Sequence, residues 1–196
     1  MDEIQDYVLF LDALLRGLGL QRPIMVGHSL GGLFAAEFAA TYTDRLAGLA
    51  LADAAGMPFT EKDDVPDFFA VAGRGGLEFA QLIFHKLEVA AANFNYPPTN
   101  EDLLRFYREM TSTARLMWDR WFDDRLPRRL PRIQAPTAVI WGRHERLFPL
   151  ALGSRFAELI PDAEFRVIED AGHMSPLESP EAFAEEILRL RDRGIA

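Results

Sequence analysis

Pro23-Ile24-Met25-Val26-Gly27-His28-Ser29-Leu30-Gly31-Gly32 is the stretch on which the reading of the whole chain turns. Ile24 to Val26 is a short apolar run closed by Gly27, with the length and flanks of a buried strand. Gly27 to Gly31 fits the pattern G-x-S-x-G, and Gly32 follows. Such a segment turns sharply from strand to helix and holds its central Ser in a strained conformation. Side chains bulkier than Gly would collide across so tight a turn. The turn lifts the Ser29 hydroxyl clear of the backbone and aims the first free amides of the next helix at the same point. The Leu30 amide is thus a candidate donor to a developing oxyanion. From the chain's own Gly and Ser frequencies, a chance match is on the order of a few per cent.

Working outward, residues 33 to 43 read as a helix whose Ala35, Ala36, Ala39 and Ala40 allow close approach to a sheet. Leu46 to Ala52 is a second buried strand, ending at Asp53. Before the turn, Ile4, Val8, Leu11, Leu15 and Leu18 recur at spacings of four and three, which predicts a helix with these five on one face. Gly17 and Gly19 weaken its end and Pro23 marks the stop. Helix, strand, helix, strand is the signature of an α/β protein: a parallel sheet covered by helices. From about Met57 to Leu130 strand-like runs vanish and helical periodicity takes over. Eight of the fifteen Phe lie there, joined by Trp118, Trp121, Met110 and Met117. This predicts a helical insertion over 57–130 with an apolar inner face, punctuated by Gly75-Gly76 and Pro97-Pro98. The alternation then resumes. Thr137 to Trp141 is a strand ending in Gly142, residues 150 to 160 a helix, and Glu164 to Ile168 a strand. The last helix starts with Ser179 as N-cap and Pro180 at its first position, and buries Phe183, Ile187 and Leu190.

Composition excludes several function classes. The 196 residues carry 21 Lys and Arg against 30 Asp and Glu, a net charge of −9. That balance lacks the basic footprint of a nucleic-acid binder. With no Cys there is no disulfide framework, thiolate metal site or Cys nucleophile. No apolar run reaches the roughly 20 residues of a membrane span. The acidic start, Met1-Asp2-Glu3, is unlike a secretory signal, so the expectation is a cytoplasmic protein.

An activated Ser needs a base, and the base an orienting carboxylate. Of the four His, His28 lies in the turn itself, with its side chain expected to point away from Ser29. His85 falls in the insertion and reads as a surface or core residue. His144 points away from the site if Glu145 points in. His173 follows Gly172 in the loop after the last strand, at the end of a parallel sheet where such folds place their sites, and is the favoured base. Glu145, three residues beyond its strand, is the favoured acid, with Asp53 as the competitor. The order Ser29, Glu145, His173 agrees with the order Ser, acid, His associated with this kind of turn.

The chain resembles an α/β-hydrolase-fold enzyme with a helical cap. The resemblance rests on Pro23 to Gly32, on Ile133 to Pro149 (IQAPTAVIWGRHERLFP) and on Val167 to Glu181 (VIEDAGHMSPLESPE), and covers essentially the whole chain. It implies a core made of residues 1–56 and 131–196 with a cap at 57–130. It also implies a Ser-His-acid hydrolase of carboxylic esters or related carbonyl compounds, with no metal or cofactor. Ser-containing members include carboxylesterases, lipases, carbon–carbon bond hydrolases and perhydrolases. Those with an Asp nucleophile, dehalogenases and most epoxide hydrolases, do not fit Ser29. Two departures stand out. The acid is Glu145 where close relatives usually have Asp. Only one helix precedes the turn where the family has several strands, so the fold is expected to be truncated at its N-terminus.

Four expectations follow. In the family a loop after an early strand usually gives the second oxyanion donor; the resemblance implies no counterpart of it here, so activity of the chain alone is expected to be weakened, typically by on the order of 10² to 10³. The strand at residues 24 to 26 has an unpaired apolar edge, which favours a homodimer. The substrate is a small apolar or aromatic carbonyl compound, with Leu147, Phe148 and Met174 as pocket candidates. Two other functions remain open: carbon–carbon bond hydrolysis of aromatic-ring cleavage products, and a non-catalytic remnant that binds a hydrophobic ligand.

Overall fold

The computed structural model describes residues 3–95, 97–117 and 122–195. Met1, Asp2, Trp118 and Trp121, used above, lie outside them. Four strands form one parallel sheet in the order β1 (Ile24–His28), β2 (Gly48–Ala52), β3 (Thr137–Gly142) and β4 (Ala163–Ile168). Register pairs Val26 with Ala50, Ala50 with Ala138, and Ala138 with Glu164. All three pairings are parallel, so the C-terminal ends of all four strands open on the same edge.

Side chains alternate across the pleat. Leu49, Leu51, Val139 and Trp141 face one layer; Ala50, Ala138, Ile140 and Ile168 face the other. On the first side lie α1 (Ile4–Gly17), α2 (Leu30–Thr41) and α8 (Leu150–Leu159). On the second, α10 (Pro180–Ile195) crosses β2, β3 and β4 and buries Leu190 against them, with Phe183 and Ile187 partly covered. The small residues of α2 work as expected: Ala35, Ala36, Ala39 and Ala40 are all buried, which lets the helix lie against β1 and β2.

Two burial expectations fail for geometric reasons. Among the described residues β1 has a strand partner on one side only. Its apolar run is therefore not a buried strand: Val26 is 46% exposed. Leu18 lies past the last turn of α1, as its C-cap, and is exposed; Val8 and Leu15 carry the buried face instead.

Between β2 and β3 the chain forms α3 (Phe68–Arg74), α4 (Gly76–Ile83), α5 (Leu87–Asn93), α6 (Asn100–Met117) and α7 (Leu126–Arg129). Gly75 and Gly76 both adopt positive φ at the α3–α4 junction, as that dipeptide suggests. The aromatic rings pack on each other and, at Phe59 and Phe68, on the main core. Phe68 meets Phe69 and Phe79 edge-on, Phe79 meets Phe106, and Phe84 meets Phe94. At its end the segment joins the main core. Leu126 and Leu130 are fully buried, and Arg129 of α7 pairs with the buried Glu37 of α2 and with Asp123. The short helix α9 (Ser175–Glu178) precedes α10. The last helix starts at Pro180, as expected, with Ser179 before it donating its hydroxyl to the Asp170 carbonyl at 2.7 Å.

Candidate active site

Ser29 sits between β1 and α2 with φ 52° and ψ −122°. A non-Gly residue in that region is strained, and the surrounding bonds hold it there. Its N–H donates to the Ala52 carbonyl at 2.9 Å, and its own carbonyl accepts from the amides of Gly32 and Ala55. A Cβ on Gly27 would lie 2.4 Å from the Gly31 carbonyl oxygen, and one on Gly32 would lie 2.3 Å from Ala54 Cβ. Crowding thus explains Gly27 and Gly32. It does not explain Gly31, whose Cβ would meet nothing within 4 Å. Leu30 is the first residue of α2, where amides lack a partner within the helix.

Three loops at the C-terminal ends of β1, β3 and β4 bring Ser29, Glu145 and His173 together. His173 Nε2 lies 2.9 Å from Ser29 Oγ, and His173 Nδ1 lies 2.5 Å from Glu145 Oε2. The other Glu145 oxygen accepts from the Leu147 amide at 2.6 Å. A carboxylate can only accept, so Nδ1 carries the proton and Nε2 is left to accept from the Ser29 hydroxyl. His173 is only 4% exposed. Burial works against its charged form, but the nearby carboxylates prevail: Glu145, through charge and hydrogen bond, then Asp53 and Glu178 hold its pKa above the usual 6.5.

Asp53 occupies a separate position. It is fully buried, accepts from the Gly142 amide at 2.8 Å, and takes the Ser175 hydroxyl at 2.5 Å. Burial, reinforced by the charge of Glu145, pushes its pKa up to about 8. The hydrogen bonds of His173 go to Ser29 and Glu145 and those of Asp53 to Gly142 and Ser175, so the geometry separates the two candidate acids. Leu147 and Phe148 are buried in the main core; the Phe148 ring meets the His173 imidazole edge-on, with centroids 5.6 Å apart. Met174 is half-buried beside His173.

The His28 side chain reaches the His173 backbone: Nε2 lies 2.7 Å from the His173 carbonyl oxygen, and the two rings sit 5.0 Å apart. Burial first, and the His173 charge second, lower its pKa to about 4. At neutral pH it is an uncharged ring donating Nε2–H to the His173 backbone. His85 and His144 also meet, stacked at 3.7 Å, which joins the helical segment to the Glu145 loop. Ser175 and Glu178, which the sequence does not single out, anchor the short helix behind His173. Their one sequence signal is position, two and five residues after the favoured base.

The fold and site define the class, and the comparisons agree. The sequence matches the alpha/beta hydrolase fold family over residues 1–180, and the chain belongs to that family. It is 30% identical to a 2-hydroxy-6-oxo-6-phenylhexa-2,4-dienoate hydrolase from Comamonas testosteroni, over 91% of this chain and 66% of the relative. It is 29% identical to a 2-hydroxy-6-oxononadienedioate/2-hydroxy-6-oxononatrienedioate hydrolase from Paraburkholderia phymatum, over 91% of this chain and 65% of that protein. The chain therefore spans just under two thirds of the length of these relatives. In fold it is similar to a meta-cleavage product hydrolase from Pseudomonas fluorescens IP01, with a TM-score of 0.71 at 23% identity, covering 97% of this chain and 72% of that one. No helix among the described residues is long and apolar enough to cross a membrane.

Proposed function

We propose that the chain is a Ser-dependent hydrolase that opens carbonyl compounds through an acyl-enzyme. The hydrogen-bonded chain Ser29–His173–Glu145 is the observation that carries this reading. Ser29 Oγ attacks the carbonyl carbon while His173 Nε2 takes its proton. Glu145 holds the imidazole in the Nδ1–H tautomer and stabilises the imidazolium. The Leu30 amide donates to the developing oxyanion. His173 then passes the proton to the leaving group, and water, deprotonated by the same nitrogen, releases the acid and restores Ser29. Every group in this scheme is supplied by the chain. Residues 57–130 act as a cap over the strand ends, and the His85–His144 stack is one of the contacts that support it.

Carboxylic esters are the first substrate class to test. The names of the relatives favour a second class, 6-oxo-dienoates. With no heteroatom leaving group on the ketone carbon, hydrolysis there breaks a carbon–carbon bond, and His173 would protonate a carbon. Turnover of a vinylogous diketone with poor ester turnover would select this class.

The test of the common chemistry is intact-mass labelling with a fluorophosphonate. Wild-type chain gains one phosphonyl group, and Ser29→Ala gains none. A folded wild-type sample that stays unlabelled overturns the reading and leaves a ligand-binding remnant.

A further inference from the structure

Glu178 is a buried carboxylate to which the scheme above gives no task. Its Oε1 accepts from the Gly172 amide at 2.9 Å. Its Oε2 accepts from two successive amides of the helical segment, His85 and Lys86, each at 2.7 Å. The Lys86 side chain returns the contact, donating from Nζ to the Glu178 carbonyl at 2.8 Å and pairing with Asp170 at 2.6 Å. One turn away, the Met174 amide donates to the Ile83 carbonyl at 3.2 Å. Residues 83–86 are thus fastened to the loop at 170–174 on both sides of His173. The approach is close: a Cβ on Gly172 would stand 2.9 Å from the His85 nitrogen and 3.2 Å from Glu178 Oε1.

The chemistry of these bonds is demanding. Three backbone donors converge on two oxygens of one side chain. A carboxylate accepts at both oxygens and satisfies all three. A carboxamide must turn an N–H₂ towards at least one of the donors and leave it unpaired, at the cost of a buried polar group without a partner. No arrangement of a Gln side chain solves this.

We propose that Glu178 is a positioning residue, tying residues 83–86 to the Gly172–Met174 loop and thereby fixing the pose of His173 against Ser29. The consequence for His173 rests on the function proposed above; the tie itself does not. Glu178 also adds negative charge near the imidazole, together with Glu145, while the neutral His28 ring faces it from β1.

The test uses the full chain, isotope-labelled, as wild type, Glu178→Gln and Glu178→Asp. Three readouts are taken: amide hydrogen exchange at His85, Lys86 and Gly172; the NMR titration of the His173 ring; and the rate of Ser29 phosphonylation against pH. In Glu178→Gln, exchange at the three amides speeds up by about tenfold or more. The His173 midpoint moves down, and the high-pH labelling rate falls by about tenfold through the loosened base. Glu178→Asp keeps the charge but is one methylene too short to bridge both sides. It restores the His173 midpoint but neither the amide protection nor the high-pH labelling rate, and it is the variant read if Glu178→Gln does not fold, with an unmoved labelling rate overturning the inference. Unchanged amide exchange overturns the inference. So does faster exchange with His173 titration and labelling unmoved, since the tie would then be structural only. An unlabelled wild type overturns the proposed function alone, because exchange and titration need no chemistry at Ser29.

Discussion

The sheet with its loops and the helical segment between β2 and β3 are built to different standards. In the sheet, Leu49, Leu51, Val139, Ile140 and Trp141 are all fully buried. The turns at its C-terminal edge are pinned by backbone bonds and by absent Cβ atoms. In the segment, Phe84 is the one buried Phe of the eight, and Leu77, Phe94, Leu103, Leu104 and Tyr107 stand exposed. Its rings pack edge-to-face on one another, a weaker restraint than the interlocked faces of a sheet. A site that must hold atoms within tenths of an ångström is mounted on the first kind of structure. The second kind touches it through a few contacts, chiefly residues 83–86 and the His85–His144 stack.

Substitutions at the strand ends therefore carry the largest expected effects. Glu145→Gln removes the partner that fixes the His173 tautomer, and kcat for whichever substrate is turned over falls by about 10³ to 10⁴. Asp53→Asn leaves the bonds of His173 to Ser29 and Glu145 in place and keeps the shape of the side chain, with Oδ1 still able to accept from Gly142 and Nδ2 able to donate to Ser175 Oγ, so the loss stays within about tenfold. Parallel steady-state kinetics check both, and the reverse ranking would move the acid's role to Asp53. Next comes stability. Trp141→Ala empties the centre of the sheet and costs about 3–5 kcal/mol, whereas Tyr107→Ser, at 67% exposure, stays within about 0.5 kcal/mol. Urea unfolding separates them, and comparable losses would erase the contrast between the regions. The smallest effect is on pH dependence. Labelling of Ser29 requires neutral His173, whose pKa is raised above 6.5 by its carboxylates. The rate therefore rises with pH through a midpoint above 6.5, and a midpoint below that value would contradict the site's charge balance.

Much of this was legible in the sequence because the sheet repeats its signals. Apolar runs of strand length, the G-x-S-x-G turn and a Pro after Ser179 each mark a boundary that the structure keeps within a few residues. The meeting of the His173 and Glu145 loops was legible because both follow strands, and parallel topology brings such loops to one edge. What was not legible depends on side-chain direction in three dimensions. His28 turns towards the His173 carbonyl, and no spacing in one chain encodes that rotation. Val26 reads as core because apolar character does not report whether a strand is central or at an edge. Ser179 stands in the cap position its residue type suggests, but its hydroxyl proton goes to the Asp170 carbonyl, nine positions back in the chain. Glu178 stands 92 and 93 positions from the amides it binds, far beyond any local pattern.

The positive φ of Ser29 has a further consequence, in terms of selection. A non-Gly residue held in this region carries a standing penalty of about 1–3 kcal/mol. A screen for thermal endurance alone would accordingly favour Ser29→Gly, because Gly adopts such a conformation without strain. The survivors would melt higher by a few degrees, about what 1 kcal/mol gives in a domain of this size, and would have lost the hydroxyl. Directed evolution of this chain for robustness, run without an activity gate, is thus expected to discard the candidate nucleophile early. The fraction of Gly at position 29 among thermally selected clones measures how strongly fitness and endurance pull apart at a single peptide unit.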